Sequence, residues 1–158
     1  MCEKSDGQRV LIFIVVSPFT LEQEVYLVGD SLLTTLPFLT LIGIRALQVD
    51  RKNEYRRLKG LYFPAPRIEG QPPPNPADPS DPGMQNNTLL DGELVLDTEK
   101  SGRKVLRLLL FDAIVINGEN IMQRTLSKRY GRLRAFVYDP FFKYMVKHPD
   151  AALRAPFE

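Results

Sequence analysis

The chain has 158 residues, 44% of them apolar and 25% charged, with a net charge of +2. This composition suits one globular domain with its own core, and its bulk charge does not mark a nucleic-acid binder, although a local basic cleft is compatible with it. A single cysteine, Cys2, excludes an internal disulfide framework, and a single histidine, His148, excludes a multi-histidine metal centre and disfavours a Ser-His-Asp triad.

The first apolar run, residues 10–16 (VLIFIVV), is β-branched and continuous and reads as a buried strand. Its charged flank imitates a secretory signal, but no small-residue cleavage site follows. Residues 24–27 (EVYL) and 49–58 (VDRKNEYRRL) read as further strands or strand-turn segments. Between them, residues 31–47 (SLLTTLPFLTLIGIRAL) are apolar but short for a membrane span, and they contain Pro37 and Arg45. With neither signal established, the chain reads as a soluble intracellular protein without a membrane partner. Residues 64–87 (PAPRIEGQPPPNPADPSDPGMQNN) carry too much proline for helix or ladder and are expected to form a surface loop.

Order is expected to return with two apolar strands, residues 89–96 and 105–116, which flank DTEKSGR and form a β-hairpin. The period then changes. Leu126, Tyr130, Leu133, Phe136 and Val137 share one helical face, with Lys128, Arg129, Arg132 and Arg134 elsewhere. Asp139-Pro140 is expected to end that helix and start another, with Asp139 as N-cap and Pro140 at the first helical position. Phe141, Tyr144, Met145 and His148 would form the inner face of the second helix, which Pro149 stops. There is no internal repeat, and the fold class that follows is α+β, an antiparallel sheet with helices packed on it.

Three segments carry chemistry in order: EKSDGQR at residues 3–9, DGELVLD at 91–97 and LLLFDAI at 108–114. Alone, the first is a common charged turn. Together they resemble the ordered motifs of the covalent nucleotidyltransferases, which comprise the mRNA capping enzymes (guanylyltransferases) and the polynucleotide ligases. VDRKNEYRRLKGLYFP and FDAIVINGENIMQRTLSKR are similar to the capping branch, in particular its fungal forms. The resemblance implies the antiparallel nucleotidyltransferase core shared by DNA ligases and capping enzymes, ATP-grasp-like in type. It implies a function in mRNA 5′ capping, in which GMP from GTP is carried on a lysine to the 5′-diphosphate end of RNA, in the nucleus. The implied cofactor is magnesium or manganese, and the implied partners are an RNA triphosphatase subunit and the RNA polymerase II tail.

On this resemblance Lys4 is the nucleophile. A lysine amine has a pKa of about 10.4 when unperturbed and must be lowered by burial, cations or metal to attack phosphorus. Gly7 would allow close backbone approach, Asp6 supports the turn, and Arg9 would meet phosphate or shape the pocket. Asp91 and Glu93 alternate along a strand, so both carboxylates share a face. Glu93 would lie near the ribose and a divalent metal, Phe111 would stack on the purine, Arg51 would contact the ribose, and Asp112 would support the site. For Phe111 the alternative is a core residue, for Asp91 and Glu93 an Asp-Gly turn entering a half-exposed strand, and for Arg51 a solvated strand end. Lys128, Arg129, Arg132 and Arg134 either touch RNA phosphates or form the wet face of a helix.

The sequence departs from the family pattern in three ways. The family's segment before the lysine motif is missing, and the later Glu-Gly or Asp-Gly strand, the Lys-x-Lys strand and the OB-fold domain are not found, so residues 1–158 read as a partial nucleotidyltransferase domain with weak or no activity by itself. Residues 28–48 interrupt the pattern. Without them the flanks join as EVYLVDRKNEYRR, and the block begins with Val and ends with Gln, which GT-starting and CAG-ending codons would give. A retained in-frame intron is the expectation, a lineage-specific loop the alternative. An ATP-dependent ligase-type adenylyltransferase and a non-catalytic binding module remain open as other functions.

Overall fold

The computed structural model describes residues 7–30, 46–48, 53–67 and 83–150. Seven strands form one sheet in the order β3-β4-β2-β1-β5-β6-β7, with every neighbouring pair antiparallel. They are β1 (Gln8–Val16), β2 (Gln23–Asp30), β3 (Ala46–Gln48), β4 (Asn53–Leu58), β5 (Thr88–Thr98), β6 (Lys104–Ile116) and β7 (Glu119–Asn120). The helical arm that follows comprises α1 (Leu126–Leu133), a π-helical turn (Arg134–Tyr138) and α2 (Asp139–Lys147). No helix among the described residues is long and apolar enough to cross a membrane.

The strands that the sequence predicts form wherever they fall on described residues, and their period of two sorts side chains between faces. Val10, Ile12 and Ile14 of β1, Val25 and Leu27 of β2, Leu90 and Leu94 of β5, and Leu110 and Ala113 of β6 are buried in one cluster. Leu133 and Val137 of the helical arm close it. Each aliphatic side chain taken fully out of water there contributes about 1.5–3 kcal/mol. The opposite face of β1 and β5 carries Arg9, Asp91 and Glu93.

Both ends of the 28–48 block are built into the sheet. Val28, Gly29 and Asp30 continue β2 opposite β4, and 46–48 form β3 on the far side of β4. Residues 31–45 of that block lie outside the described residues, as do residues 49–52 of the expected strand 49–58 and residues 68–82 of the proline loop.

The loop's two ends are joined at its base. Pro64 and Met84 form an isolated antiparallel bridge, and the Gln85 N–H donates to the Phe63 carbonyl at 2.8 Å. Gln23 of β2 clamps both strands of this neck: its Nε2 donates to the carbonyls of Phe63 and Gln85, and its Oε1 accepts from the Phe63 N–H at 2.7 Å.

The helical arm differs from the expected break at Asp139-Pro140. Asp139 is not an N-cap: its φ of −62° and ψ of −43° are helical, and the arm runs on through it. The π turn explains how. The Asp139 N–H donates to the Arg134 carbonyl, five residues back rather than four, so the turn is wide where Pro140 enters. Pro140 has no N–H, and its ring would crowd the carbonyl of Phe136, four residues back. That carbonyl instead accepts a 2.5 Å hydrogen bond from Nε2 of Gln85, a wholly buried side chain whose Oε1 accepts from Thr88 Oγ1. The inner face of α2 is also shorter than expected. Phe141 stacks on Phe63 and Tyr144 lies against Tyr62, but His148 is exposed beyond the helix end, with its ring 4.4 Å from Tyr144.

Two side chains tie the arm to β6. Arg129 of α1 grips Asp112 with both donors, Nε to Oδ1 at 2.8 Å and Nη2 to Oδ2 at 2.6 Å. Tyr138 donates its hydroxyl to the Leu110 carbonyl at 2.8 Å. The hydrogen bond from Arg129 holds the Asp112 carboxyl below the usual carboxylate range.

Two outcomes follow. Gln85→Leu should lower unfolding free energy by about 1–3 kcal/mol, because it strands a buried carbonyl. The loss should be smaller in a Pro140→Ala background, which restores a main-chain N–H nearby; urea denaturation giving equal losses in both backgrounds would contradict this account. For Asp112 the lowered folded-state pKa means that its contribution is present above the ordinary carboxylate range and disappears as pH falls through the lowered value. Arg129→Met should therefore be less stable than the parent at neutral pH, with the gap closing in acid. A gap in urea midpoint that persists unchanged at acid pH would contradict it.

Candidate functional site

Six of the sequence-predicted site residues are described: Gly7, Arg9, Asp91, Glu93, Phe111 and Asp112. Lys4, Asp6 and Arg51 lie outside the described residues. The sheet order places the three motif-bearing strands side by side, with β5 between β1 and β6. In register, Gln8 stands opposite Leu94, Arg9 opposite Glu93 and Leu11 opposite Asp91. The end of the lysine motif and the start of DGELVLD thus meet across one ladder, on the face away from the core.

Gly7 is the tightest point. A Cβ built there would fall 2.5 Å from both Cγ and Oε1 of Glu93. The Glu93 side chain therefore lies against the main chain of the lysine motif, and a larger residue at 7 would have to displace it. Close backbone approach is what the motif's glycine is expected to permit, and the group that approaches is the Glu93 carboxylate.

Arg9 and Asp91 form a bidentate pair, Nε to Oδ1 at 3.0 Å and Nη2 to Oδ2 at 2.5 Å. The Arg9 side chain is 75% exposed and that of Asp91 only 7%. The pair spans a diagonal of the ladder, a reach that a long side chain makes readily. Its consequence is a division of labour between the two acids. Both Asp91 oxygens are engaged by Arg9, which balances the charge of a buried carboxylate, while Glu93 lies beside the Gly7 backbone.

Asp91-Gly92 is a turn signal as a dipeptide, yet it sits mid-strand. The β5–β6 register pairs Asp91 with Asp112 and Gly92 with Leu110, so Phe111 is the extra residue of a β-bulge. Gly92 explains the tight approach there, since a Cβ on it would lie 2.7 Å from the Leu109 carbonyl oxygen. Phe111 is 43% exposed, between Leu110 in the core and the clamped Asp112. The core alternative for Phe111 is thereby excluded. Leu109, two residues earlier on the same strand, is exposed as well.

Asp112 is clamped: it accepts from Arg129 and from the Ala113 N–H at 2.8 Å. Arg129, expected on a solvated helix face or at RNA phosphate, is a strut to the sheet, with its Nη1 also donating to the Arg124 carbonyl at 2.7 Å. Sequence reasoning missed this pairing. An aspartate directly after the exposed phenylalanine, and an arginine on the first turn of the next helix, were the available signal. Arg132 likewise pairs with Glu119, which also accepts from Arg124. No cluster of three or more His, Cys, Asp or Glu side chains with metal-binding geometry occurs among the described residues.

The family model for the mRNA capping enzyme catalytic domain matches residues 35–158. Over the whole chain, identity is 31% to the mRNA-capping enzyme subunit alpha of Candida glabrata, 33% to that of Eremothecium gossypii and 32% to that of Saccharomyces cerevisiae. The chain covers 29%, 28% and 29% of those proteins, so it spans less than a third of the length of each. Sheet, motif order and sequence similarity together place this chain in the mRNA capping enzyme catalytic-domain family.

Proposed function

We propose that this chain carries the nucleotide-accepting face of an mRNA guanylyltransferase and acts through a lysyl-GMP intermediate on Lys4. The observation that supports it is the contact of the Gly7 main chain with the Glu93 carboxylate on the exposed face of the sheet. Lys4 is three residues from Gly7, and covalent geometry keeps the two Cα atoms within about 11 Å whatever the path. On this reading Lys4 acts beside Glu93, Arg9 and Phe111.

In the first step the neutral Lys4 amine attacks the α-phosphorus of GTP. A P–N bond forms, the α–β phosphoanhydride bond breaks, pyrophosphate leaves, and the amine proton is lost to solvent. In the second step an oxygen of the 5′-diphosphate end of RNA attacks the same phosphorus. The P–N bond breaks, the lysine nitrogen takes a proton, and GMP is joined to the RNA end. Covalent relay of this kind divides one transfer into two.

Glu93 fits a divalent cation that is held chiefly by nucleotide phosphates, since magnesium takes one or two carboxylates beside phosphate oxygens. Asp91 does not fit as a ligand, because Arg9 engages both of its oxygens. When bound, magnesium or manganese would neutralise phosphate charge. Phe111 offers its ring to the guanine and Arg51 serves the ribose. The wider reading is an ATP-grasp-like nucleotidyltransferase core at work in nuclear mRNA processing, with an RNA triphosphatase subunit and the RNA polymerase II tail as partners.

Incubation with α-labelled GTP and magnesium should leave an acid-labile covalent label on the chain that Lys4→Ala abolishes. Labelling is expected to be weak, since these 158 residues contain no Lys-x-Lys strand and phosphoryl transfer leans on positioned cations. A label that survives Lys4→Ala, or equal labelling from ATP, would reject the reading. Gly7→Ala should reduce the label at least about tenfold with little change in melting temperature, because the added methyl displaces Glu93 rather than a core residue. Undiminished labelling of that variant would show that the Gly7–Glu93 contact is dispensable.

A further inference from the structure

We propose that Arg129 and Tyr138 are positioning residues for Phe111, fixing from the helical arm the direction in which its ring is offered; this rests on the reading of Phe111 as the aromatic that stacks on the base. Phe111 is the extra residue of the bulge, so the β5 ladder does not pair with it. Phe111 is 43% exposed, so its packing is only partial. The opposite strand has no residue in register with it, since Gly92 pairs with Leu110 and Asp91 with Asp112. The orientation of the ring is therefore set by the backbone of its two neighbours, and the helical arm holds both.

On one side the Leu110 carbonyl accepts the Tyr138 hydroxyl at 2.8 Å. Burial raises the pKa of that phenol above its ordinary value, so it remains a donor at neutral pH. On the other side the Asp112 carboxylate accepts both Arg129 bonds and also the Ala113 N–H, which ties side chain and backbone of the bulge together. Arg129 is itself anchored to the start of its helix through the Arg124 carbonyl. A planar guanidinium makes this two-point grip and a lysine cannot, so the conservative replacement retains charge without the geometry.

The test uses the full 158-residue chain with 4-fluorophenylalanine placed at position 111, and separately at position 63 in the core. The parent should give one narrow fluorine resonance at 111. Arg129→Met and Tyr138→Phe should each broaden or split it, about twofold or more in width, as exchange on the microsecond–millisecond scale sets in. Arg129→Lys should fall between, and the resonance at 63 should stay as in the parent. GTP should shift the 111 resonance, and Arg129→Met should weaken GTP binding several-fold while leaving inorganic tripolyphosphate binding unchanged. An unchanged 111 resonance in both variants would overturn the proposal, as would equal changes at 111 and 63, which mark a general loosening of the fold. A 111 resonance that responds to Arg129 and Tyr138 but not to GTP would uphold the positioning and reject Phe111 as the base contact.

Discussion

The pairing of β1 with β5 is the contact on which the rest of the structure depends. It joins segments some eighty residues apart in the chain, Gln8 with Leu94 and Leu11 with Asp91. It buries Val10, Ile12 and Ile14 on one face and brings Arg9, Asp91 and Glu93 together on the other. A slip of one residue would exchange the two sets, burying a charged row and exposing an aliphatic one, so the hydrophobic pattern enforces the register. The functional face is thus specified by what the other face needs to bury. Two glycines permit the fit. Gly7 leaves space for Glu93, and Gly92 leaves space for the Leu109 carbonyl where β6 bulges.

Bringing β1 and β5 together requires closing a long excursion, and the molecule does so at a neck rather than along its length. Phe63, Pro64, Met84 and Gln85 meet at the base of the proline loop, where Gln23 of β2 clamps them. Closing a loop becomes costlier only slowly with length, about 0.6 kcal/mol for each doubling, so the proline-rich residues beyond the neck add little burden. Gln85 then couples the neck to the helical arm through the Phe136 carbonyl. Two side-chain amides in series, those of Gln23 and Gln85, join β2, the loop base and the π turn. Because Pro140 has no N–H to give, this carbonyl needs an outside donor, and the neck supplies it.

Much of this was legible in the sequence, and the limits have physical causes. The strands announced themselves because β-branched and aliphatic runs bounded by glycine and proline have few other stable uses. The order of the motifs implied that their strands lie close together. The Arg9–Asp91 pair did not follow, because a diagonal contact depends on register between distant strands. The bulge at Phe111 was hidden for the same reason: an extra residue exists only relative to a partner, and LLLFDAI alone is an apolar run broken only by Asp112. At Asp139-Pro140 local rules favoured a cap and a new helix, and a tertiary donor overrode them. Arg129 looked like one of four solvated cations, since nothing in a helical pattern says which one faces an aspartate on the sheet.

The two acids of DGELVLD show how identical chemistry is divided by environment. Asp91 is nearly excluded from water, and burying an unpaired carboxylate costs far more than one hydrogen bond returns. A buried aspartate at this register therefore demands a cation, and Arg9, one strand over, supplies two bonds to it. Asp91 in turn holds Arg9, which belongs to the same motif as Lys4. Glu93, one side chain further along the same face, is placed beside the glycine of that motif instead. A lysine that must give up its proton near neutral pH benefits from cations and is hindered by bare carboxylates. Arg9 on Asp91 cancels one negative charge near the motif. The pair is thus part of the site's electrostatics as well as of the ladder, which is why an arginine at the start of β1 and an aspartate at the centre of β5 belong to one device.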